Sequence, residues 1–258
     1  MMVLMQKALV IVSTYDRPGG ISMLNRLLKS LVMQEEQHFD VLLLECNNFT
    51  SGIHNKGDFR SDLLALMREF DQGFPVHHIN EEKWNEIVSQ LNVSLLEKLS
   101  FDVYAGFRNI GLFLSVVLGY KHVLFIDDDE VVEDQRYVKK AMEHIGIEYQ
   151  GKIVGGVGGY YVNDEGSYHV PVRKRDWWDL LWPKMRYMNR AYGQMIETGD
   201  RLKKGTILVG GALCVSREMA MEVPFDVWIK RGEDLDMLFN TEDTRYSILF
   251  DRSLSVKH

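Results

Sequence analysis

The chain has 258 residues, of which 46% are hydrophobic and 26% charged, with a formal net charge of −7. That length and apolar share support a large α/β core, and the charged share is ordinary for a soluble protein. The acidic balance argues against a nucleic-acid binder that works through a basic surface, though one local site could still hold a nucleotide. No apolar run reaches membrane-spanning length. Residues Met1 to Lys7 lack the layout of a signal peptide, so a cytoplasmic setting is expected. Cys46 and Cys214 stand far apart in apolar contexts and read as buried thiols rather than a disulfide.

Ala8 to Ser13 is a short apolar run that predicts a first strand, broken by the turn residues Thr14 to Gly20. From Ile21 to Met33, the apolar residues Met23, Leu24, Leu27, Leu28 and Leu31 follow the spacing of one helix face. Asp40 to Glu45 predicts a second buried strand, ending in the polar cluster Glu45-Cys46-Asn47-Asn48. This β-α-β opening implies parallel strands with a right-handed crossover. Residues 62–70 and 82–99 read as helices, with a third strand at Val76 to Ile79. Ala105 to Gly111 reads as a loop that places Arg108 and Asn109 ahead of an apolar helix, Leu112 to Leu118. A guanidinium at a helix N-terminus suits a phosphate.

Tyr120 to Ile126 predicts the central strand, and it runs straight into Asp127, Asp128 and Asp129. Carboxylates packed there repel one another and are costly beside an apolar interior unless something neutralises them. A hard divalent cation bound through oxygen would do so and would share its coordination with phosphates. The early strands all end in polar loops, the pattern expected when ligands bind at the carboxyl edge of an open α/β sheet.

The second half predicts a glycine-rich strand at Lys152 to Val162. Arg173 to Ile196 is basic and aromatic, with Trp177, Trp178, Trp182, Tyr187 and Tyr192. Such residues stack on sugars or meet a membrane surface, although Pro183 interrupts any long amphipathic helix there. Thr206 to Ser216 reads as a strand interrupted at Gly210-Gly211, followed by short helices at Arg217 to Val223 and Leu235 to Asn240. A last strand is expected at Tyr246 to Phe250.

Taken in order, these pieces resemble a known family. A strand ending Ser-Thr-Tyr, a strand ending in an acid–Asn cluster and an Arg-Asn-x-Gly come first. An apolar strand into Asp-x-Asp, a Gly-Gly strand and Gly-Glu-Asp-x-Asp follow. The set is similar to a GT-A glycosyltransferase of the large family 2 type. The resemblance implies an α/β, Rossmann-like GT-A fold: a mostly parallel central sheet flanked by helices. It implies one catalytic domain over 1–258, with a nucleotide-binding half at 1–130 and an acceptor-binding half at 131–258. The implied activity is a hexosyltransferase that uses a UDP- or GDP-sugar donor and a sugar, lipid-linked or small-molecule acceptor, with no nucleic acid.

The resemblance also implies roles. Ser13, Tyr15, Asp16, Glu45, Asn47 and Arg108 would hold the nucleotide, together with Asp127 and Asp128. Asp129, Asp127 and His258 would hold Mn²⁺ or Mg²⁺. Asp234, with Glu233 second, would be the general base of an inverting reaction. Gly210, Gly211 and Trp177 would meet the acceptor. Glu45-Cys46-Asn47-Asn48 departs from the family's usual Asp-Asp-x-Ser, which leaves the base open. Two competing readings remain. Asp127-x-Asp129 also resembles the first motif of haloacid-dehalogenase phosphatases, with Asp127 as nucleophile, although the later motifs of that family are not evident. The other is a non-catalytic sugar-nucleotide or glycan binder on the same scaffold. Plain structural readings stand beside these roles as well, since acids in a first helical turn also stabilise the helix dipole.

Overall fold

The computed structural model describes residues 7–46, 58–91, 93, 96–171, 177, 181 and 183–258. Asn47, Trp178 and Trp182 lie outside the described residues. The chain opens with β1 (Ala8–Thr14), α1 (Gly20–Val32), β2 (Phe39–Glu45), α2 (Phe59–Phe70), β3 (Val76–Asn80) and α3 (Glu81–Leu91). It continues through α4 (Tyr104–Val117), β4 (His122–Asp127), α5 (Tyr137–Met142), β5 (Glu148–Tyr149) and β6 (Lys152–Val162). The last elements are α6 (Lys184–Glu197), β7 (Leu202–Lys204), β8 (Leu213–Ser216), α7 (Arg217–Glu222), α8 (Glu233–Asn240) and β9 (Tyr246–Lys257).

Among the described residues, nine strands join one sheet in the order β3-β2-β1-β4-β8-β6-β9-β7, with β5 paired to β6. β1 pairs in parallel with β2 and β4, β2 with β3, and β6 with β9. β8 runs antiparallel between β4 and β6, so β6 and β9 point the same way as β4. The carboxyl ends of β1, β2, β4, β6 and β9 therefore share one edge.

Strand alternation divides the core into two layers. On β1 and β4, Val10, Val12, Leu124 and Ile126 pack with α1, α2 and α5. Leu9, Ile11, Val123 and Phe125 pack on the other face with α3, α4, α7 and α8. The apolar stripe of α1, with Leu24, Leu27, Leu28 and Leu31, is fully buried, as its spacing predicts. Asp58 caps α2 by accepting from the Ser61 N–H at 3.2 Å, which satisfies a donor the helix itself leaves unpaired. Cys46 and Cys214 are buried thiols. No described helix is long and apolar enough to cross a membrane.

The structure departs from the predicted elements in several places. Where one helix was expected over 82–99, α3 spans Glu81–Leu91 and a separate 3₁₀ turn stands at Leu96–Lys98. Residues 105–111 are not a loop: α4 begins at Tyr104, so Arg108 and Asn109 lie inside the helix and are buried. The two glycines that suggested a loop serve packing instead. A side chain at Gly106 would collide with the Ser100 backbone, and one at Gly111 with Ile11 of β1. Residues 206–216 are not one strand. A 3₁₀ turn at Gly210–Ala212 precedes the four-residue β8. The final strand runs on past Phe250 to Lys257, with register shifts against β6 at Val154/Gly156 and Gly158/Tyr160. That extension carries His258 to the edge where β4 ends.

Candidate active site

The three consecutive aspartates do not act as one cluster. Alternation continues past β4, so Asp127 follows Phe125 toward α4 and Asp128 follows Ile126 toward the other layer. Asp128 is buried and accepts from Thr14 Oγ1 at 2.8 Å. It also meets Arg17 Nη2, 2.5 Å from its Oδ1. Burial pushes Asp128 up to about 7, against the pull of Arg17 and Thr14, with Asp129 and Asp127 adding to the rise. Asp129 is more open: its Oδ2 lies 3.2 Å from Arg17 Nη2, and its Oδ1 lies 3.7 Å from His258 Nε2.

Asp127 lies low in the site but keeps about a third of its side chain open to the cleft, at 32% exposure. Its Oδ1 is 3.8 Å from Arg108 Nη2, and its Oδ2 accepts from Tyr161 Oη at 3.4 Å. Its own N–H donates to Glu130 Oε2 at 2.9 Å. Burial raises the Asp127 carboxyl, offset by Arg108 and reinforced by Asp129. Glu130 is fully buried and is held well above the usual carboxylate range, first by burial and then by Asp127.

His258 is fixed rather than frayed. Its N–H donates to Val162 O at 2.9 Å, and its ring stacks on Tyr161 at 5.4 Å between centroids. The neighbouring Lys257 exchanges both backbone hydrogen bonds with Val131. Between these groups lies a cleft of about 180 Å³, lined by Ser13, Tyr15, Arg17, Cys46, Tyr104, Phe107, Asp127, Asp128, Asp129 and His258. The expected residues Ser13 and Tyr15 therefore reach the cleft, while Asp16 is half-buried and outside its lining.

Glu45 does not line this cleft; Cys46 does. Glu45 shares its strand face with Val41 and Leu43, which pack toward α1 and α2. There it accepts from Arg60 of α2 at 3.0 Å and contacts His78 Nε2 at 2.8 Å. Burial would raise Glu45, but the His78 and Arg60 hydrogen bonds outweigh it and hold the carboxyl below its usual value.

The acceptor-side motif is split in the same way. Gly232, with a φ of 84°, turns the chain into α8, a backbone shape that suits glycine. Glu233 is buried against Arg108, with Nη1 2.8 Å from its Oε1. Asp234 is half-buried, and its Oδ2 accepts from the Gly210 N–H at 3.1 Å. The Gly211 N–H donates to Tyr161 Oη at 3.1 Å. The Gly210–Gly211 turn thus ties Asp234 to the group that holds Asp127. The missing side chains leave room for the protein's own polar groups. A Cβ at Gly210 would collide with the Arg108 guanidinium, and one at Gly211 with Glu130, Tyr161 and Asp127. Trp177 is 71% exposed and does not line the cleft.

Among the described residues, no three carboxylate, imidazole or thiol groups converge as a set able to hold a metal alone. Asp129 and His258 form a two-residue donor pair of carboxylate and imidazole. Such a pair suits a divalent cation whose other ligands come from a diphosphate.

By sequence, no protein-family model matches the chain, and no curated protein does. By structure, the chain resembles TarS 1–349 of S. aureus with a TM-score of 0.56 at 14% identity, covering 97% of this chain and 60% of that one. It also resembles a mannosyltransferase, PcManGT of Pyrobaculum calidifontis, solved with GDP-Man and Mn²⁺. There the TM-score is 0.59 at 11% identity, over 98% of this chain and 56% of that one. The chain has the GT-A fold. TarS 1–349 has also been solved with UDP-GlcNAc, and that structure matches with a TM-score of 0.56 at 15% identity, over 98% of this chain and 58% of that one. The chain thus spans about 60% or less of each of these GT-A chains.

Motif reading missed Thr14, Arg17, Glu130 and Tyr161. Thr14 was signalled by its parity with Val10 and Val12, which puts it beside Asp128. Arg17 and Tyr161 had no local signal, because their partners lie far away in the chain; Glu130 bonds Asp127 only three residues back and was passed over beside the three aspartates.

Proposed function

We propose that this protein is a glycosyltransferase that moves a sugar from a nucleoside-diphosphate sugar to a hydroxyl acceptor, with inversion. One observation carries the reading. On one edge of a GT-A sheet, Asp127, Asp129 and His258 share an aromatic-lined cleft, and a turn of two glycines links them to Asp234. Residues 1–130 would form the nucleotide side and 131–258 the acceptor side. The ligands named for the two similar structures, GDP-Man with Mn²⁺ and UDP-GlcNAc, support a nucleotide-sugar donor and a divalent ion.

In this reading Tyr15 offers a ring face to the base, and the open edge of the cleft at Ser13 takes the ribose. Asp129 and His258 would hold Mn²⁺ or Mg²⁺, which neutralises the charge that builds on a departing diphosphate. Arg108 and Tyr161 hold Asp127 in place from below. Asp234 accepts the proton of the acceptor hydroxyl as that oxygen bonds the sugar carbon and the diphosphate leaves. Glu233 is the poorer base, because Arg108 already occupies its carboxylate. It serves instead to seat α8 so that Asp234 faces the turn.

A screen of UDP- and GDP-sugars for Mn²⁺-dependent hydrolysis and transfer tests the activity. Asp234→Asn is expected to keep donor binding and to lose about 10²- to 10⁴-fold in transfer, the range for a general base. Loss of donor binding instead would reassign Asp234 to the donor site.

A further inference from the structure

Arg17 stands in the turn after β1, where the sequence shows only a helix entry. Its guanidinium lies 4.5 Å over the Tyr15 ring. A single nitrogen, Nη2, meets both Asp128 Oδ1 at 2.5 Å and Asp129 Oδ2 at 3.2 Å. The other oxygen of Asp129 faces His258. One carboxylate therefore stands between a guanidinium and the imidazole of the donor pair described above. A cation fixed on one oxygen weakens the carboxylate as a ligand and repels a second cation placed beside it.

The two arginines of the site differ in their anchoring. Arg108 is enclosed within α4 and its side chain is 4% exposed. Arg17 lies outside helix and strand, at the wall of the cleft, and its side chain is 16% exposed. A guanidinium at a cleft wall has a better partner than a carboxylate once a diphosphate arrives, since its planar fork matches phosphate oxygens. Asp128 does not lose all support when Arg17 leaves, because Thr14 Oγ1 still donates to it.

We infer that Arg17 is an internal counter-ion which the donor diphosphate draws away from Asp128 and Asp129. In the unliganded protein it neutralises the two acids and keeps the Asp129–His258 pair a weak metal site. With the donor in place it moves to the diphosphate, and Asp129 is released to the metal. Metal and nucleotide then bind cooperatively, and by linkage each tightens the other by the same factor. This rests on the donor-site reading given above, but its first half can be read without a nucleotide.

The test measures Mn²⁺ binding to the full chain by the EPR signal of free Mn²⁺, and UDP and GDP binding by calorimetry. Wild type, Arg17→Ala, Arg17→Gln and Arg17→Lys are compared, with melting curves to show that each is folded. Without nucleotide, Arg17→Ala and Arg17→Gln are expected to bind Mn²⁺ about tenfold more tightly than wild type, while Arg17→Lys stays close to wild type. With Mn²⁺ present, the two neutral variants are expected to bind the nucleotide about tenfold more weakly, and the coupling between the ligands shrinks. Equal Mn²⁺ binding in wild type and both neutral variants, or none in any of them, overturns the counter-ion role whatever the nucleotide does. Failure of both UDP and GDP to bind the wild type with Mn²⁺ sinks the donor reading, and with it the transfer of Arg17 to a diphosphate.

Discussion

Two arginines hold the acids at the end of β4, and they do so on different terms. Arg108 is sealed between Asp127 and Glu233 and stacks near the Phe125 and Phe225 rings. Burial opposes its charge, and Asp127 and Glu233 outweigh that opposition. Arg17 meets Asp128 and Asp129 at the wall of an open cleft. The buried arginine joins β4 to α8 and so fixes the distance between Asp127 and the start of α8. The open one can exchange partners. Two guanidiniums that meet neighbouring acids of one motif thus serve as a strut in one place and a replaceable partner in the other.

Removing the strut is expected to have the largest effect on stability. Arg108→Met leaves buried Glu233 and half-buried Asp127 without their cation, at a cost of about 3–5 kcal/mol in urea unfolding. The double variant Arg108→Met, Glu233→Leu should recover part of that loss, because one of the stranded charges goes with it. Arg17→Ala should cost less than Arg108→Met. A larger cost for Arg17→Ala would break the contrast between them.

The glycine turn beside the strut comes next. Gly211→Ala puts a methyl group against Glu130, Tyr161 Oη and Asp127 Oδ2. The expected destabilisation is about 1–3 kcal/mol, the usual cost of overpacking. Transfer should fall further than stability alone explains, since Tyr161 and Asp127 are displaced together. Normal kinetics in a destabilised Gly211→Ala would separate the turn from the chemistry.

The smallest effect belongs to Glu45, which lies outside the cleft. Its folded-state carboxyl is held below its usual value by His78 and Arg60 against burial. Such a group stabilises the fold above its unfolded value, and the contribution is lost as pH falls through the folded value. Glu45→Gln should therefore cost about 1 kcal/mol near pH 7. The difference from wild type should shrink as pH falls below the ordinary glutamate value of 4.5. Donor binding should be unchanged; a loss of UDP or GDP affinity would return Glu45 to the nucleotide.

The early strands and helices were legible because their apolar periods are regular and their breaks carry turn residues. The acid triplet was legible for the same reason, since an apolar strand running into three aspartates has few uses. Arg108 was misplaced because Gly106 and Gly111 look like loop glycines in a sequence, whereas their lack of side chains lets α4 approach Ser100 and Ile11. Glu45 was assigned by position, but strand parity with Val41 and Leu43 turns it to the other face. Arg17 and Tyr161 depend on contacts between distant segments, Arg17 to Asp128 and Tyr161 to Asp127, which no local pattern encodes. His258 joined Asp129 only because β9 runs seven residues beyond its apolar stretch, from Asp251 to Lys257, and its bulged pairing with β6 keeps it on course.

The central claim is that this cleft binds a nucleoside diphosphate together with a divalent cation. Thermal unfolding with UDP or GDP, with and without Mn²⁺, tests it most directly, using wild type and Asp129→Asn. The account predicts that one of the two nucleotides raises the wild-type Tm when Mn²⁺ is present, by more than nucleotide and metal do separately. Asp129→Asn should lose that extra rise. No shift with either nucleotide, in the presence or absence of Mn²⁺, would contradict it.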